Sequence, residues 1–180
     1  MKLIRHRRNT LEQLRETPTE FGVEMDLRSY GDELIIHHDP FVIGERFEPW
    51  LAEYRHGTLI LNVKEEGLEE RLIGLMRSHG IADYFFLDQS FPFLVRTANR
   101  GERRCAVRLS EFETIDNALN LAGRVDWVWV DCFTRFPLDG RAAERLHTAG
   151  FKICLASPEL HGHVAPDDIP TMRALLQREG

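Results

Sequence analysis

Hydrophobic residues fall into short runs that predict strands, and the segments between the runs have the apolar spacing of helices. Seven runs predict the main strands, over Lys2–His6, Phe21–Arg28, Thr58–Lys64, Tyr84–Leu87, Cys105–Leu109, Trp127–Val130 and Phe151–Ala156. Helical spacing predicts helices over Thr10–Thr19, Phe47–Tyr54, Leu68–Ser78, Pro92–Asn99, Thr114–Ala122, Gly140–Thr148 and Thr171–Arg178. The turn at Tyr30-Gly31-Asp32 predicts a hairpin that leads from the second strand into an extra strand, Glu33–His38.

The regular alternation of strands and helices predicts βαβ units and a parallel sheet in one α/β domain over residues 1–180. Because no GxGxxG motif follows the first strand, a TIM-type (β/α) barrel is favoured over a doubly wound sheet. A complete barrel usually needs about 250 residues. We therefore expect a reduced or incompletely closed barrel of seven main strands plus a hairpin arm. The gap between the first and last strands of such a barrel is left open, is closed by the N-terminal segment, or is closed by a partner chain in a homo-oligomer.

Composition and charge restrict the class of protein. The 43% hydrophobic and 29% charged residues are typical of a soluble globular protein. A net charge of -6 argues against a nucleic-acid partner or an anionic membrane surface. No apolar run approaches the roughly 20 residues of a membrane span, and MKLIRHRR does not read as a secretory signal, so a cytoplasmic location is expected. Three widely spaced cysteines, Cys105, Cys132 and Cys154, are predicted to be buried thiols.

Polar residues stand where predicted strands end, which is where barrel enzymes place their chemistry. The first strand ends in His6-Arg7, the hairpin arm in His37-His38-Asp39, and the Thr58–Lys64 strand carries Asn62 and Lys64 near its end. A single charged residue at a strand end is usually the start of a solvated loop. We give that interpretation to Arg108, Asp131 and Glu159.

Glu24 and Asp26 are two residues apart in a predicted strand, so their carboxylates share one face. Two carboxylates on an inward face repel each other unless a cation or a basic cluster neutralises them. Oxygen ligands of this kind suit a hard divalent cation. The pair therefore predicts a metal site, with nearby basic residues as the alternative source of positive charge.

Four separate motifs resemble the glycerophosphodiester phosphodiesterase family. They are His6-Arg7, Asn9-Thr10, and the Glu-x-Asp and His-Asp-Pro elements within GVEMDLRSYGDELIIHHDP, from Gly22 to Pro40. The family pattern is His-Arg-Gly followed by Asn-Thr, then Glu-x-Asp, then His-Asp-Pro after a short hairpin. LILNVK lies where the family has a strand ending in Glu-x-Lys, and RLHTAGFKICLAS resembles a later helix–strand unit more loosely.

The resemblance implies a role for each matching residue. His6 and His38 would be the general acid and base, Glu24, Asp26 and Asn62 would bind Mg²⁺ or Ca²⁺, and Arg7 and Lys64 would contact phosphate. In this family a neighbouring substrate hydroxyl attacks phosphorus, and water then opens the cyclic phosphate. A phosphodiester anion repels nucleophiles, so a cation and basic side chains are needed to neutralise it. Two imidazoles can exchange the protons near neutral pH.

Two positions and one segment depart from the family pattern, and the last strand of the pattern is absent. Arg8 stands where the family has glycine, and Asn62 replaces a glutamate ligand, which removes one negative charge from the site. The segment after His-Asp-Pro is cut to about 17 residues, Phe41 to Gly57, so the usual cap over the substrate is largely missing. Glu65, Glu66 or Asp88 offers a carboxylate that compensates for Asn62.

These features predict a metal-dependent phosphodiester hydrolase that acts on a small, water-soluble phosphodiester, with a place in lipid metabolism. One alternative is a degenerate barrel that binds a phosphorylated ligand without turnover. Another is a barrel lyase or isomerase that uses the same acid–base pair. Strand alternation places Ile36 and His38 on one face and His37 on the other. The resemblance also places His38 directly before Asp-Pro, so His38 is predicted to be the acid–base residue.

Overall fold

A computed structural model describes residues 1–161, 170, 172–174 and 177. The chain divides into two compact units, Met1–Thr97 and Ala98–Gly180. Half of the last predicted helix, Thr171–Arg178, falls outside the described residues, and its described residues, 172–174 and 177, are helical. The prediction of one domain over residues 1–180 stays a prediction.

The first unit is built on a six-stranded sheet in the order β4-β3-β2-β5-β6, with β1 also paired to β2. Its elements are β1 (Ile4–Arg5), α1 (Leu11–Glu16), β2 (Gly22–Tyr30), β3 (Glu33–Ile36), β4 (Glu45–Arg46), α2 (Phe47–Glu53), β5 (Leu59–Val63), α3 (Glu69–Ser78) and β6 (Tyr84–Leu87). Helix α4 (Phe91–Asn99) begins in this unit and contains its last residue, Thr97. Strands β1, β5 and β6 run parallel to β2, whereas β3 and β4 form an antiparallel arm.

The second unit contains a three-stranded parallel sheet in the order β7-β8-β9. Its elements are β7 (Ala106–Leu109), α5 (Ile115–Leu119), β8 (Trp127–Val130), α6 (Gly140–Thr148) and β9 (Lys152–Leu155), followed by a 3-10 turn over Pro158–His161. None of the three cysteines is in a disulfide, and Cys105 and Cys132 are buried as predicted, whereas Cys154 is partly exposed.

The predicted order of elements is confirmed for the seven main strands and the hairpin arm. The arm is shorter than predicted, because β3 ends at Ile36 rather than at His38, and it gains β4, which was not predicted. Only two residues long, β4 pairs with β3 through Ile35 and Ile36 and has no hydrophobic alternation of its own. The described strands form two sheets and no closed barrel is seen among them, so the barrel stays a prediction.

Helix α1 is shorter than predicted because Thr17 precedes a proline, which disfavours the helical conformation. Its start is a capping box, in which Thr10 Oγ1 accepts a hydrogen bond from Gln13 N at 3.1 Å and Gln13 Oε1 accepts one from Thr10 N at 3.2 Å. Gln13 Oε1 also accepts a hydrogen bond from Asn9 N at 2.9 Å. The box holds the backbone at Asn9 in place. No helix in the described part of the chain is long and apolar enough to cross a membrane.

Strand β2 lies at the centre of the first unit and is buried from Gly22 to Leu27. Along one edge it pairs with β5 from Val23 to Leu27. The other edge is shared between β1, which pairs with Gly22 and Val23, and β3, which pairs with β2 from Leu27 to Tyr30. Positions 24–26 are left between the two partners, and the loop that follows β1 fills this gap.

Candidate active site

Glu24, Asp26 and Asn62 form the buried floor of a polar cluster in the first unit. Asp26 of β2 and Asn62 of β5 are direct neighbours in the sheet register, so their side chains leave the same face. Lys64 follows β5 immediately, and Lys64 N donates to Leu27 O at 2.9 Å, which extends the pairing. Strand pairing alone thus brings together three of the predicted site residues, Asp26, Asn62 and Lys64.

Glu24 is held by two hydrogen bonds. Arg7 N donates to Glu24 Oε2 at 2.7 Å, and Asn62 Nδ2 donates to Glu24 Oε1 at 2.7 Å. His6 Nε2 lies 3.6 Å from Glu24 Oε2. Burial, and then the charge of Asp26, raise the pKa of Glu24 to about 7, against its ordinary 4.5. The Glu24 carboxyl group is therefore partly protonated near neutral pH.

Asp26 is held by Asn9, a residue that was not among the predicted site residues. Asn9 Nδ2 donates to Asp26 Oδ2 at 2.8 Å, and Asn9 Oδ1 accepts from Asp26 N at 3.0 Å. The side chain of Asn9 thereby replaces the missing strand partner of β2. In the sequence, Asn9 belongs to the Asn-Thr pair that resembles the family motif. Its contact with Asp26, however, depends on the path of the loop after β1.

Two basic side chains neutralise Asp26. Lys64 Nζ lies 3.4 Å from Asp26 Oδ1, and Arg7 Nε lies 3.8 Å from Asp26 Oδ2. Lys64 also donates to Asp88 Oδ2 at 2.8 Å, just beyond β6, where Asp88 has a left-handed backbone with φ of 61°. Glu65, Glu66 and Asp88 were the carboxylates offered for the negative charge lost at Asn62, and of these Asp88 is bonded to Lys64.

Arg28 joins the two loops that carry Lys64 and His38. Its Nη1 donates to Lys64 O at 3.2 Å, while Nε and Nη2 donate to His38 O at 3.1 and 2.8 Å. Arg28 lies near the exposed end of β2 and has no counterpart in the predicted site. Its role is visible only from the contacts, because an arginine on a strand is otherwise an ordinary surface residue.

His6 follows β1 and faces the Glu24 carboxylate. Burial, and then the charge of Arg7, lower the pKa of His6 below its ordinary 6.5. The imidazole is therefore mainly neutral at pH 7. Arg7 has a positive φ of 51°, and Arg8 donates from its backbone to Glu24 O at 2.8 Å and from its Nε to His6 O at 3.2 Å. The bulky Arg8 is accommodated with its side chain turned back along the loop.

The two neighbouring histidines differ in their partners. His38 Nδ1 lies 2.8 Å from Asp39 Oδ1, whereas His37 Nδ1 accepts a hydrogen bond from Asp39 N at 3.0 Å. His37 N donates to Asp26 O at 3.0 Å, which ties this loop to the cluster. Because β3 ends at Ile36, strand alternation does not extend to either histidine, and that argument for His38 no longer applies.

Two buried oxygens in the cluster, Asp26 Oδ1 and Asn62 Oδ1, have no hydrogen-bond partner. Carboxylate and amide oxygens are ligands that Mg²⁺ and Ca²⁺ accept, so the donor type fits such a cation. Within the described ranges, however, no group of three or more His, Cys, Asp or Glu side chains is placed to hold a metal. Lys64 supplies positive charge beside Asp26 Oδ1.

The Glu24→Gln variant is expected to change the pH dependence of stability. The folded protein keeps the Glu24 proton up to about pH 7, whereas the unfolded chain releases it near pH 4.5. The contribution of Glu24 to the free energy of unfolding of the wild type is therefore present at low pH and lost as the pH rises through 7. Relative to wild type, the variant should gain about 3 kcal/mol between pH 5 and pH 8.

Urea unfolding of both proteins in EDTA at several pH values measures this difference. The lowered pKa of His6 acts in the opposite direction, with stability rising as the pH rises towards 6.5, but it is common to both proteins and cancels. A difference that stays constant from pH 5 to pH 8 would show that Glu24 titrates normally.

Comparison with known proteins identifies the fold. No family model and no curated protein matches the chain. A structure assigned as a glycerophosphoryl diester phosphodiesterase from Agrobacterium tumefaciens strain C58 matches with a TM-score of 0.70 and 15% identity, over 97% of this chain and 90% of that one. A glycerophosphodiester phosphodiesterase from the same organism matches with a TM-score of 0.66 and 16% identity, over 98% and 91%. The chain thus has the fold of these glycerophosphodiester phosphodiesterases, in agreement with the motifs of its first 40 residues.

Proposed function

We propose that the chain is a divergent glycerophosphodiester phosphodiesterase, a metal-dependent hydrolase of small phosphodiesters that uses His6 and His38 as acid and base. One observation carries the proposal. In a chain with this fold, a histidine, two carboxylates, an amide and a lysine converge on one face of β2 and β5, in the order that the resemblance implies. The net charge of -6 supports a small ligand over a nucleic acid. A cytoplasmic location and a homo-oligomer stay predictions.

Arg7 and Lys64 are proposed to bind the phosphate. The Lys64 side chain is 16% exposed and that of Arg7 is 50% exposed, so both can reach a ligand while remaining beside Asp26. An anionic phosphodiester between them offsets their positive charge, and the Asp88 contact orients the Lys64 ammonium.

His6 and His38 are proposed to move the two protons. The neutral His6 ring accepts the proton of a substrate hydroxyl as its oxygen attacks phosphorus. The bond from phosphorus to the leaving alkoxide breaks, and His38 protonates that oxygen. Asp39 holds His38 through Nδ1, which leaves Nε2 for the transfer. Water then opens the cyclic phosphate with the roles reversed.

A divalent cation, Mg²⁺ or Ca²⁺, is the proposed cofactor. Asp26 Oδ1, Asn62 Oδ1 and the Glu24 carboxylate are the groups that would hold it. The assignment is supported by Asp26 Oδ1 and Asn62 Oδ1, two buried oxygens that accept no hydrogen bond. When bound, the cation would neutralise charge that develops on the phosphate oxygens.

Product release from bis-p-nitrophenyl phosphate and a panel of glycerophosphodiesters tests the proposal, with added Mg²⁺, Ca²⁺ or Mn²⁺ and with EDTA. We expect turnover that depends on the added cation. A rate of product release that is the same with EDTA as with the added cations, and is unchanged in His6→Ala, would reject the proposed enzyme activity.

A second candidate is a protein that binds a phosphorylated ligand without hydrolysing it. The observation in its favour is that Asn62 Nδ2 already bonds Glu24 while Lys64 and Arg7 flank Asp26, so the site balances its charge from its own residues. Calorimetry with glycerol 3-phosphate separates the two functions. Binding in the absence of any turnover, with every cation tested, would favour this second candidate.

A further inference from the structure

Arg28 lies on the face of β2 that carries Glu24 and Asp26, because residues two and four positions apart along a strand share one face. Both neighbouring strands, β3 and β5, end with the residue that pairs with Leu27. The Arg28 side chain is only partly exposed. Arg28 is therefore the next residue in the row of site residues, at the point where the strands on either side of β2 give way to loops.

Arg28 donates three hydrogen bonds to the two loops that follow these strands. We call them the His38 loop, residues 37–44, and the Lys64 loop, residues 64–68. Arg28 Nε and Nη2 both donate to His38 O, at 3.1 and 2.8 Å, and Nη1 donates to Lys64 O at 3.2 Å. One planar guanidinium group thus connects a loop on one side of β2 with a loop on the other side.

Each loop is also held by its own backbone. Lys64 N and His37 N donate to main-chain oxygens of β2, at 2.9 and 3.0 Å. Together with the bonds from Arg28, these contacts hold Lys64 at both its N–H and its carbonyl group, and they hold His38 at its carbonyl group and at the residue before it. The directions in which the Lys64 and His38 side chains leave the backbone therefore depend on Arg28.

Charge balance does not explain Arg28. In the described part of the chain it forms no ion pair with a carboxylate, and its three hydrogen bonds all end on main-chain oxygens. Lysine would not replace it, because an ammonium group lacks the planar fork with which a guanidinium group reaches two loops at once. These contacts indicate that Arg28 fixes the positions of the two loops.

We propose that Arg28 is a positioning residue for the reaction, which aims Lys64 at the phosphate and His38 at the oxygen of the leaving alcohol. The inference rests on the proposed function and adds to it a residue that acts only through two others. Phosphate binding and protonation of the leaving oxygen are then coupled, because one guanidinium group sets the position of both loops. A displacement of about 1 Å at a reacting group costs about 10²-fold in rate.

Two diesters of glycerol 3-phosphate, one with ethanol and one with p-nitrophenol, test this coupling. Both carry the glycerol hydroxyl that attacks phosphorus, but p-nitrophenolate leaves without a proton, whereas ethoxide needs the proton that His38 donates. We expect Arg28→Ala to lower kcat/KM by about 10²-fold for the ethyl diester. For the p-nitrophenyl diester, where only the displacement of Lys64 is felt, the loss should stay under about tenfold. Equal losses on the two diesters overturn the inference.

Two further variants separate positioning from a general effect on the fold. Arg55→Ala is the matched control, since Arg55 also donates to main-chain oxygens, those of Ala52 and Tyr54, but it precedes β5 and should leave the rates unchanged. Arg28→Lys keeps the charge and should lose nearly as much as Arg28→Ala. Added guanidinium ion, but not methylammonium, should restore part of the rate to Arg28→Ala. Circular dichroism melting checks that every variant folds. Wild-type rates in Arg28→Lys, or equal losses in Arg55→Ala and Arg28→Ala, overturn the inference.

Hydrogen exchange measured by mass spectrometry tests the loops without a substrate. In Arg28→Ala the amides of the His38 loop and of the Lys64 loop should both exchange faster than in wild type, while β5 stays as protected as before. Faster exchange in both loops, with no release from either diester by the wild type, overturns the proposed hydrolase and supports the placement of the loops by Arg28. Unchanged exchange in either loop overturns the inference alone.

Discussion

Replacing His6 by alanine is expected to lower kcat for a phosphodiester substrate by about 10²–10⁴-fold, the usual contribution of a general acid or base. The neutral His6 ring lies 3.6 Å from Glu24 and is the proposed acceptor of the attacking proton. Because its pKa is below 6.5, the acidic limb of the wild-type kcat/KM profile should fall below that value. This limb should be absent in the variant.

The two adjacent histidines provide a matched pair of further variants. His38→Ala should lose activity as His6→Ala does, and His37→Ala should keep most of it, because the His37 ring bonds only the neighbouring Asp39 backbone. Added imidazole should restore part of the lost rate in the impaired variants. Full activity in His6→Ala, or a greater loss in His37→Ala than in His38→Ala, would contradict the proposed roles.

Replacing Lys64 by methionine is expected to destabilise the fold by about 3 kcal/mol, at the lower end of the cost of breaking a buried ion pair. Lys64 Nζ lies beside Asp26, which is fully buried, and bonds Asp88. Asn9 still donates to Asp26 after the change, which limits the loss. Urea unfolding in EDTA at pH 8, where carboxylates are charged in the unfolded chain, measures the effect.

Two companion variants distinguish charge from packing. Lys64→Arg keeps the positive charge and should lose less than Lys64→Met. Adding Asp26→Asn to Lys64→Met removes the unpaired carboxylate and should recover part of the stability, so the two changes are not additive. If Lys64→Met costs under about 1 kcal/mol, Lys64 does not neutralise Asp26. Addition of Mg²⁺ or Ca²⁺ should also stabilise Lys64→Met more than wild type, since the proposed cation would act on the same Asp26 oxygen as Lys64.

The sequence predicted the elements better than it predicted the contacts among them. Hydrophobic periodicity is local, so all seven main strands and the hairpin arm were found. The predicted end of the arm was wrong: β3 stops at Ile36, opposite Leu27, and at the next position of β2 the backbone N–H of Asp26 donates to Asn9 Oδ1. The two-residue β4 was missed because its pairing with β3, and not a periodic pattern, makes it a strand.

Local patterns determined which residue types are available to the site, namely the Glu24/Asp26 pair, His6, and Asn62 with Lys64. Only the tertiary structure decided how their charge is balanced. Asn62 and Glu24 are 38 positions apart and Asn9 and Asp26 are 17, and these pairs meet through strand register and a loop that completes the edge of β2. Spacing along the chain does not encode register between distant strands, so the polar contacts around Asp26 could be known only once the sheet was formed.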